Sequence, residues 1–415
     1  MPSPERVPPH DPYASLRVPG FRRFIASLLT QTLGTQIQAV VVGWQVYAQT
    51  HDALSLGLIG LAEALPFIAM ALYAGHVTDR LDRRWLTGMS LAVLLGCSLA
   101  LLGLTLAGAI SSGRVWPVYT VIFVSGIARS FLQTARTALA AEVVSRDLQL
   151  NAVGWRSSTW QFGAVAGPAI GGLLYGWSGP ELAYAVDATL MATSLVCLMG
   201  VPAVVRSPRP PPDSFVKSLE EGIRFVRGQQ ILLGAITMDL FAVLFGGAVA
   251  ILPIFAAEIL NVGPEGLGLL RAAPAIGAVL MALYLSHRGP LERAGRTLLI
   301  AVAIFGVCMI GFGLSRNFLL SLILLAVSGA ADNVSAILRS AMVQMMSPEH
   351  LLGRVSAVNA IFIGSSNEIG AFESGVAAKL LGAVRSVVFG GLMTLGVVVA
   401  TALRAPKLRD LRRLE

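Results

Sequence analysis

The chain reads as an all-α polytopic membrane protein, with twelve transmembrane helices in two six-helix parallel repeats. Three observations predict this. The first is composition: of 415 residues, 55% are apolar and 13% charged, with 43 Gly besides. A soluble domain carries about 25% charged residues, and one aqueous core cannot hide this much apolar surface. A soluble enzyme, a disordered chain and a fibrous protein are thereby excluded. The second is a series of apolar runs, each near the roughly 20 residues that cross a bilayer core of ~30 Å as a helix. The third is that the chain aligns with itself.

The runs fall at 23–48, 54–75, 85–110, 116–139, 150–176, 183–204, 231–257, 266–286, 297–314, 317–343, 355–382 and 386–405. They are too long, and alternate too little, for barrel strands. This gives an N-terminal segment 1–22, a first six-helix half 23–204, a linker 205–230, a second half 231–405 and a basic tail 406–415. Placing the N-terminus in the cytoplasm puts 21 of the 31 Lys and Arg on the side of the termini and 4 on the other. That bias predicts both termini inside. The four on the outer side are Arg114, Arg316, Lys379 and Arg385, the last two standing close together in the sequence. In a soluble protein the +8 net charge would suggest nucleic acid; here the cations sit in short loops and set topology, so no nucleic-acid partner is expected. Residues 1–20 contain prolines but no apolar core of a cleavable signal.

The linker opens with a Pro-rich stretch. Phe215, Leu219, Ile223 and Val226 then recur every three to four residues, predicting a short amphipathic helix on the inner leaflet. The self-alignment has two offsets. Ser125-Gly126, Arg136, Gly167 and Gly172 match Ser328-Gly329, Arg339, Gly370 and Gly375 at 203; Leu56-Gly57-Leu58 matches Leu267-Gly268-Leu269 at 211. Parallel repeats of six spans suit a transporter in which one half rocks against the other around a central site.

Charge inside a bilayer is costly and faces protein or water. Spans three, nine and twelve carry none between their ends, and span six carries only Asp187 near its outer end, so these can face lipid. Interior charges lie on the others: Glu63, Arg129, Arg136, Arg156, Asp239, Arg271, Asp332, Arg339, Glu368 and Glu373. Span one instead carries Gln31, Thr35, Gln38 and Gln45, a polar stripe expected to face the cavity. Neither the three Cys nor the five His cluster at metal-ligand spacing, so no metal is expected. No phosphate-binding loop of the G-x-x-x-x-G-K-[ST] type occurs, so no nucleotide cofactor is expected. A proton entering down about 100 mV supplies roughly 2.3 kcal/mol, enough for a gradient of about fiftyfold. Its carrier must be a carboxylate. Glu63 and Asp239 are the first candidates, with Asp332 and Glu368 behind them; Gln31, Thr35, Gln38 and Arg129 are the candidate substrate contacts.

Two motifs carry a family resemblance. Gly75, Asp79, Arg80, Arg83 and Arg84 spell G-x-x-x-D-R-x-x-R-R between spans two and three, similar to the signature of the major facilitator superfamily. The resemblance implies that Gly75 allows close helix approach and that Asp79 forms a charge lock gating the inner side. In the second half the motif is degenerate, leaving Arg288, Glu292 or Arg293 for any matching lock. Gly154, Gly163, Gly167, Pro168, Gly171 and Gly172 spell G-x₈-G-x₃-G-P-x₂-G-G in span five. This is similar to the antiporter motif of that superfamily's exporters, a flat small-residue face expected to seal the outer side. Phe21 to Phe24, Ser218 to Phe225 and Ser347 to Arg354 resemble the transmembrane secretion effector branch, which contains siderophore and macrolide exporters. The resemblance implies a monomeric secondary exporter in a bacterial inner membrane, moving a small amphipathic molecule by proton antiport: siderophore-like first, macrolide or multidrug second. A facilitator-type importer is the alternative, opposed by span five. A membrane-embedded enzyme or sensor would need a reactive cluster or an added domain, and the sequence offers neither.

Overall fold

Inside hydrocarbon a helix satisfies every backbone N–H and C=O from within its own segment, and the apolar runs fold accordingly. The computed structural model describes residues 11–111, 113–202, 215–287 and 293–412. Its long helices are α1 (Pro19–Thr50), α2 (Ala53–Arg80), α3 (Arg83–Leu106), α4 (Trp116–Val143), α5 (Gln149–Met199), α6 (Phe215–Gly228), α7 (Gln230–Gly246), α8 (Gly263–Ser286), α9 (Ala294–Leu314), α10 (Phe318–Met346), α11 (Glu349–Leu381) and α12 (Ala383–Arg404). No strand occurs among the described residues.

Among the described residues ten stretches are long and apolar enough to cross a membrane. One of them, which contains α5, crosses twice. Gly163 and Gly171 lie against Thr32 and Ile37 in turn, so the first arm of α5 runs in the direction of α1. Beyond the break, Asp187 lies against Gly34 and Ser194 bonds to Ser27, so the second arm runs the other way. The reversal is at Gly179 (φ 78°), a conformation glycine adopts without penalty, with Pro180 starting the returning arm. With α5 counted twice and α11 added, the crossings are twelve. The linker's prolines lie outside the described residues.

Two expectations need correction. The run 231–257 is not one helix: α7 stops at Gly246, and the chain continues as a 3₁₀ turn (Val249–Ile251), a short α turn (Leu252–Ile254) and a π turn (Phe255–Ile259). The Ser374 hydroxyl donates to the freed Gly247 carbonyl at 2.6 Å, so the break costs less than an unpaired buried group would. Nor does α6 present Ile223 and Val226 of its apolar stripe to lipid; the side chains of Phe215 and Leu219 lie outside the described residues. Ile223 and Val226 pack into the core of the second half, Glu221 pairs with Arg354, and Gly222 lies against the Arg354 carbonyl. The absent side chain at 222 is what lets α6 approach α11.

Each half has its own apolar core. The start of α1 lies against Pro202, and Gln230 at the start of α7 donates to the Arg404 carbonyl at 3.0 Å, so both termini lie at one end of the bundle. That end is called the termini end and the opposite one the far end. A fourth apolar cluster bridges the halves at the far end, joining Val40, Tyr47 and Leu56 to Phe255, Leu267 and Phe312. Exposed indoles stand near both ends, Trp116 and Trp177 far and Trp85 near the termini, as aromatic anchors do at the two membrane interfaces.

Candidate functional site: the space between the halves

The halves meet through α2 with α11 and through α5 with α8. A Cβ at Gly57 would lie 3.0 Å from the Cα of Gly375, and one at Gly172 would lie 2.9 Å from the Cα of Gly268. These four glycines are the pairs that the offsets 211 and 203 relate, and each meets the repeat partner of the other. That is the exchange a twofold axis between the halves produces. At the far end Lys379 donates to Asp52 at 2.5 Å and the Tyr47 hydroxyl donates to Glu258. Burial pushes the Asp52 carboxyl up, but Lys379 and Ser55 outweigh it and hold the group below its usual range. Asp52 and Lys379, with Tyr47, His51, Glu258 and Arg385, line a cavity of about 480 Å³. Lys379, an exception to the charge bias, thus has a far-end partner. Midway along, Arg271 on α8 donates to the Ala39 carbonyl at 2.9 Å.

At the termini end the expected close approaches are not made. A Cβ on Gly75 or Gly154 would meet nothing within 4 Å. Asp79 and Arg80 are exposed, and Asp79 has no ion pair among the described residues. The motif's other arginines bind inside the first half. Arg83 donates to Glu142 at 2.7 Å and to the Ala138 carbonyl at 3.2 Å; Arg84 donates to the Met199 carbonyl at 2.5 Å. These bonds join α3 to α4 and to the end of α5. Sequence reasoning missed Glu142; its signal was a lone acid closing the apolar run of α4. Arg288 and Glu292 lie outside the described residues, and Arg293 precedes α9. Gly163, Gly167 and Gly171 pack on α1, and Gly172 packs on α8. Pro168 sits in continuous helix, since only Gly179 leaves helical φ/ψ.

The interior charges sort into paired and unpaired. Glu63 pairs with Arg129, and Asp239 with Arg339, the latter pair buried. Asp332, at the midpoint of α10, has no ion pair among the described residues; it shares a face with Arg339 two turns on, yet is exposed where its neighbours Leu325 and Arg339 are buried. It is therefore an exposed carboxylate at mid-depth. Glu373 is half-buried without an ion pair among the described residues. The Glu368 side chain lies outside the described residues. Gln31 donates to Thr35 at 2.9 Å and accepts from Arg136 at 2.5 Å.

Gln38 and Gln45 correct the polar-stripe expectation. Gln38 donates to Asp187 at 3.0 Å and to Ser98 at 3.3 Å; Gln45 donates to Thr105 at 3.2 Å and accepts from Tyr184 at 2.8 Å. Both point into the first half, where the wholly buried Asp187 (0% exposed) takes a donor from Gln38 and the buried Tyr184 hydroxyl finds its acceptor in Gln45. Asp187, the one charge of span six, accordingly faces protein.

Twelve crossings in two halves, with charged groups at mid-depth, are the build of a membrane transporter. Residues 10–413 match the family model described as transmembrane secretion effector, and the chain belongs to that family, within the major facilitator superfamily. Among curated relatives, the enterobactin exporter EntS of Shigella flexneri is 26% identical over 388 residues, 93% of this chain and 92% of the relative. EntS of Escherichia coli (strain K12 / MC4100 / BW2952) is 26% identical over 396 residues, 95% of this chain and 94% of the relative. Among solved structures, the nucleoside transporter NupG superposes with a TM-score of 0.73 at 13% identity, covering 93% of this chain and 99% of that one. The POT family transporter PepTSo gives 0.75 at 12% identity, covering 94% and 98%. At such identities the structures speak for the fold alone.

Proposed function

We propose that the chain exports a small amphipathic molecule across a bacterial inner membrane by proton antiport with alternating access, as a monomer with the termini in the cytoplasm. A siderophore-like substrate comes first and a macrolide or other drug second. The relatives' printed name supports export and the siderophore class. The motif of span five supports export as well: its last glycine, Gly172, meets Gly268 where the halves close.

Asp332 carries the mechanistic part of the reading. A proton carrier must meet water in one state and be enclosed in another. Glu63 and Asp239 already hold their cations, Arg129 and Arg339, whereas Asp332 is exposed and unpaired among the described residues. It therefore moves ahead of Glu63, Asp239 and Glu368 as the coupling group. In this state, open toward the termini, Asp332 exchanges its proton with that side while substrate enters beside Arg129 and Thr35. Closure of the termini end through Gly75, Asp79 and Arg80 then opens the far end, where substrate leaves and a proton enters. Importers need the same geometry with opposite coupling; the small-residue face of span five favours the exporter.

The test is accumulation in inverted membrane vesicles, energised and then uncoupled, with a catecholate siderophore beside a macrolide. Uptake that collapses with the uncoupler, and that Asp332→Asn removes, is expected. Uptake indifferent to the uncoupler would refute antiport, and uptake of neither compound would remove both substrate classes.

A further inference from the structure

The two halves treat one arginine differently. Arg136 on α4 and Arg339 on α10 stand at matching positions, 203 residues apart, and each reaches the first helix of its own half. Arg339 meets a carboxylate there, Asp239, and the pair is buried and neutral. Among the described residues Arg136 meets the amide oxygen of Gln31 and no carboxylate. Arg156, on the first arm of α5, has no ion pair among the described residues and stands within electrostatic range of Arg136. Arg129 is near as well, but Glu63 answers its charge. The described part of the first half thus holds two guanidinium groups at membrane depth with no acid of their own.

Uncompensated cations are expensive in a membrane and mark the paths of charged substrates. A guanidinium has five donors in one plane, and Gln31 engages one N–H of Arg136. The free edges suit two oxygens of a carboxylate, catecholate, sulfonate or phosphate. Both arginines are only half-buried, so a ligand can reach them. The opposite wall repels an anion: at the position matching Arg129 the second half carries Asp332.

We propose that Arg136 and Arg156 form the seat for a negatively charged group of the substrate, and that Gln31 positions Arg136 without neutralising it. The transported molecule is then an anionic amphiphile. This rests on the reading of the chain as a transporter of a small amphipathic molecule and adds the sign of its charge. Gln31 is a positioning residue: its amide holds the guanidinium in place, and a carboxylate at that position would occupy the seat as Asp239 does in the other half.

The experiment measures binding to the full chain in nanodiscs by fluorescence anisotropy. The probes are the trianionic dye 8-hydroxypyrene-1,3,6-trisulfonate and the neutral 1-pyrenemethanol. Wild type should prefer the trianion. Gln31→Glu should weaken trianion binding about tenfold or more, the scale of one lost charge-assisted contact, and leave the neutral dye unchanged. Arg156→Gln, which alters neither Gln31 nor Arg136, should act in the same direction. Trianion binding at wild-type strength in both variants, or no preference for the trianion in wild type, would overturn the proposal. Binding in nanodiscs is blind to direction and to protons. A failure of uncoupler-sensitive uptake would therefore refute antiport and leave this site standing, and the reverse also holds.

Discussion

The far end and the termini end of the bundle are built from similar material and behave differently. At the far end glycine meets glycine across the two halves, Tyr47 reaches Glu258, and Asp52 holds Lys379. At the termini end Gly75 and Gly154 face open space, and Asp79 stands without an ion pair among the described residues. Small residues close a helix interface only where a second backbone arrives, since without a hydrophobic drive in lipid the gain is contact itself. The contrast teaches that a motif marks where approach is permitted, while the conformational state decides whether it is made.

The largest way to break this contrast is to fill a far-end contact. Gly57→Leu drives a side chain into the Gly375 backbone; overpacking of about 1–3 kcal/mol shifts a two-state balance by about 5- to 150-fold. Far-end opening should follow, seen as faster thiol labelling of a Leu267→Cys reporter, buried at the far end in this state, with the protein still folded. Gly75→Leu is the matching control and should stay within about 0.5 kcal/mol in thermal stability. A Gly75→Leu variant as perturbed as Gly57→Leu would erase the distinction between the ends.

Tyr47→Phe comes next. It removes the hydrogen bond to Glu258, and a bond to a charged group is worth about 1.5–3 kcal/mol. Reporter labelling should rise about tenfold, and Glu258→Gln should do less because the phenol keeps a partner. The smallest effect belongs to Asp52–Lys379, a partly exposed pair worth about 0.2–1 kcal/mol. Because the Asp52 carboxyl is held below its ordinary value, the pair's contribution is full above about pH 4 and is lost as pH falls through the lowered value. Far-end labelling through this pair should thus be flat from pH 5 to 8 and rise only in stronger acid. Lys379→Ala should abolish that acid step.

Much of the fold was legible because lipid leaves a chain few choices. The apolar runs could only be helices, and the repeat identities named Gly57, Gly172, Gly268 and Gly375 before any contact was visible. What stayed hidden were matters of direction. Gln31, Gln38 and Gln45 recur every seven residues and share a face, but periodicity does not say what that face looks at; Asp187 and Tyr184 decide it. Asp187 itself reads as a lone acid near a span end, and only its burial shows that it turns inward. The break after Gly246 was signalled by Gly246, Gly247 and Pro253, yet the unbroken apolar composition masked it. Among the candidate carboxylates, rank order depended on partners from other helices, which no spacing within one helix records.

The central claim is reciprocity: opening one end closes the other. It is tested most directly by spin-label distances across α5 and α8, remote from the perturbing site on α2. Trp177→Cys with Asn261→Cys reports the far end, and Leu150→Cys with Ser286→Cys the termini end, all exposed positions. Cys197 is replaced by Ser, and the buried Cys97 and Cys308 are kept. Introducing Gly57→Leu should lengthen the far-end distance and shorten the termini-end distance together. A far-end distance that lengthens while the termini end stays open would contradict the account.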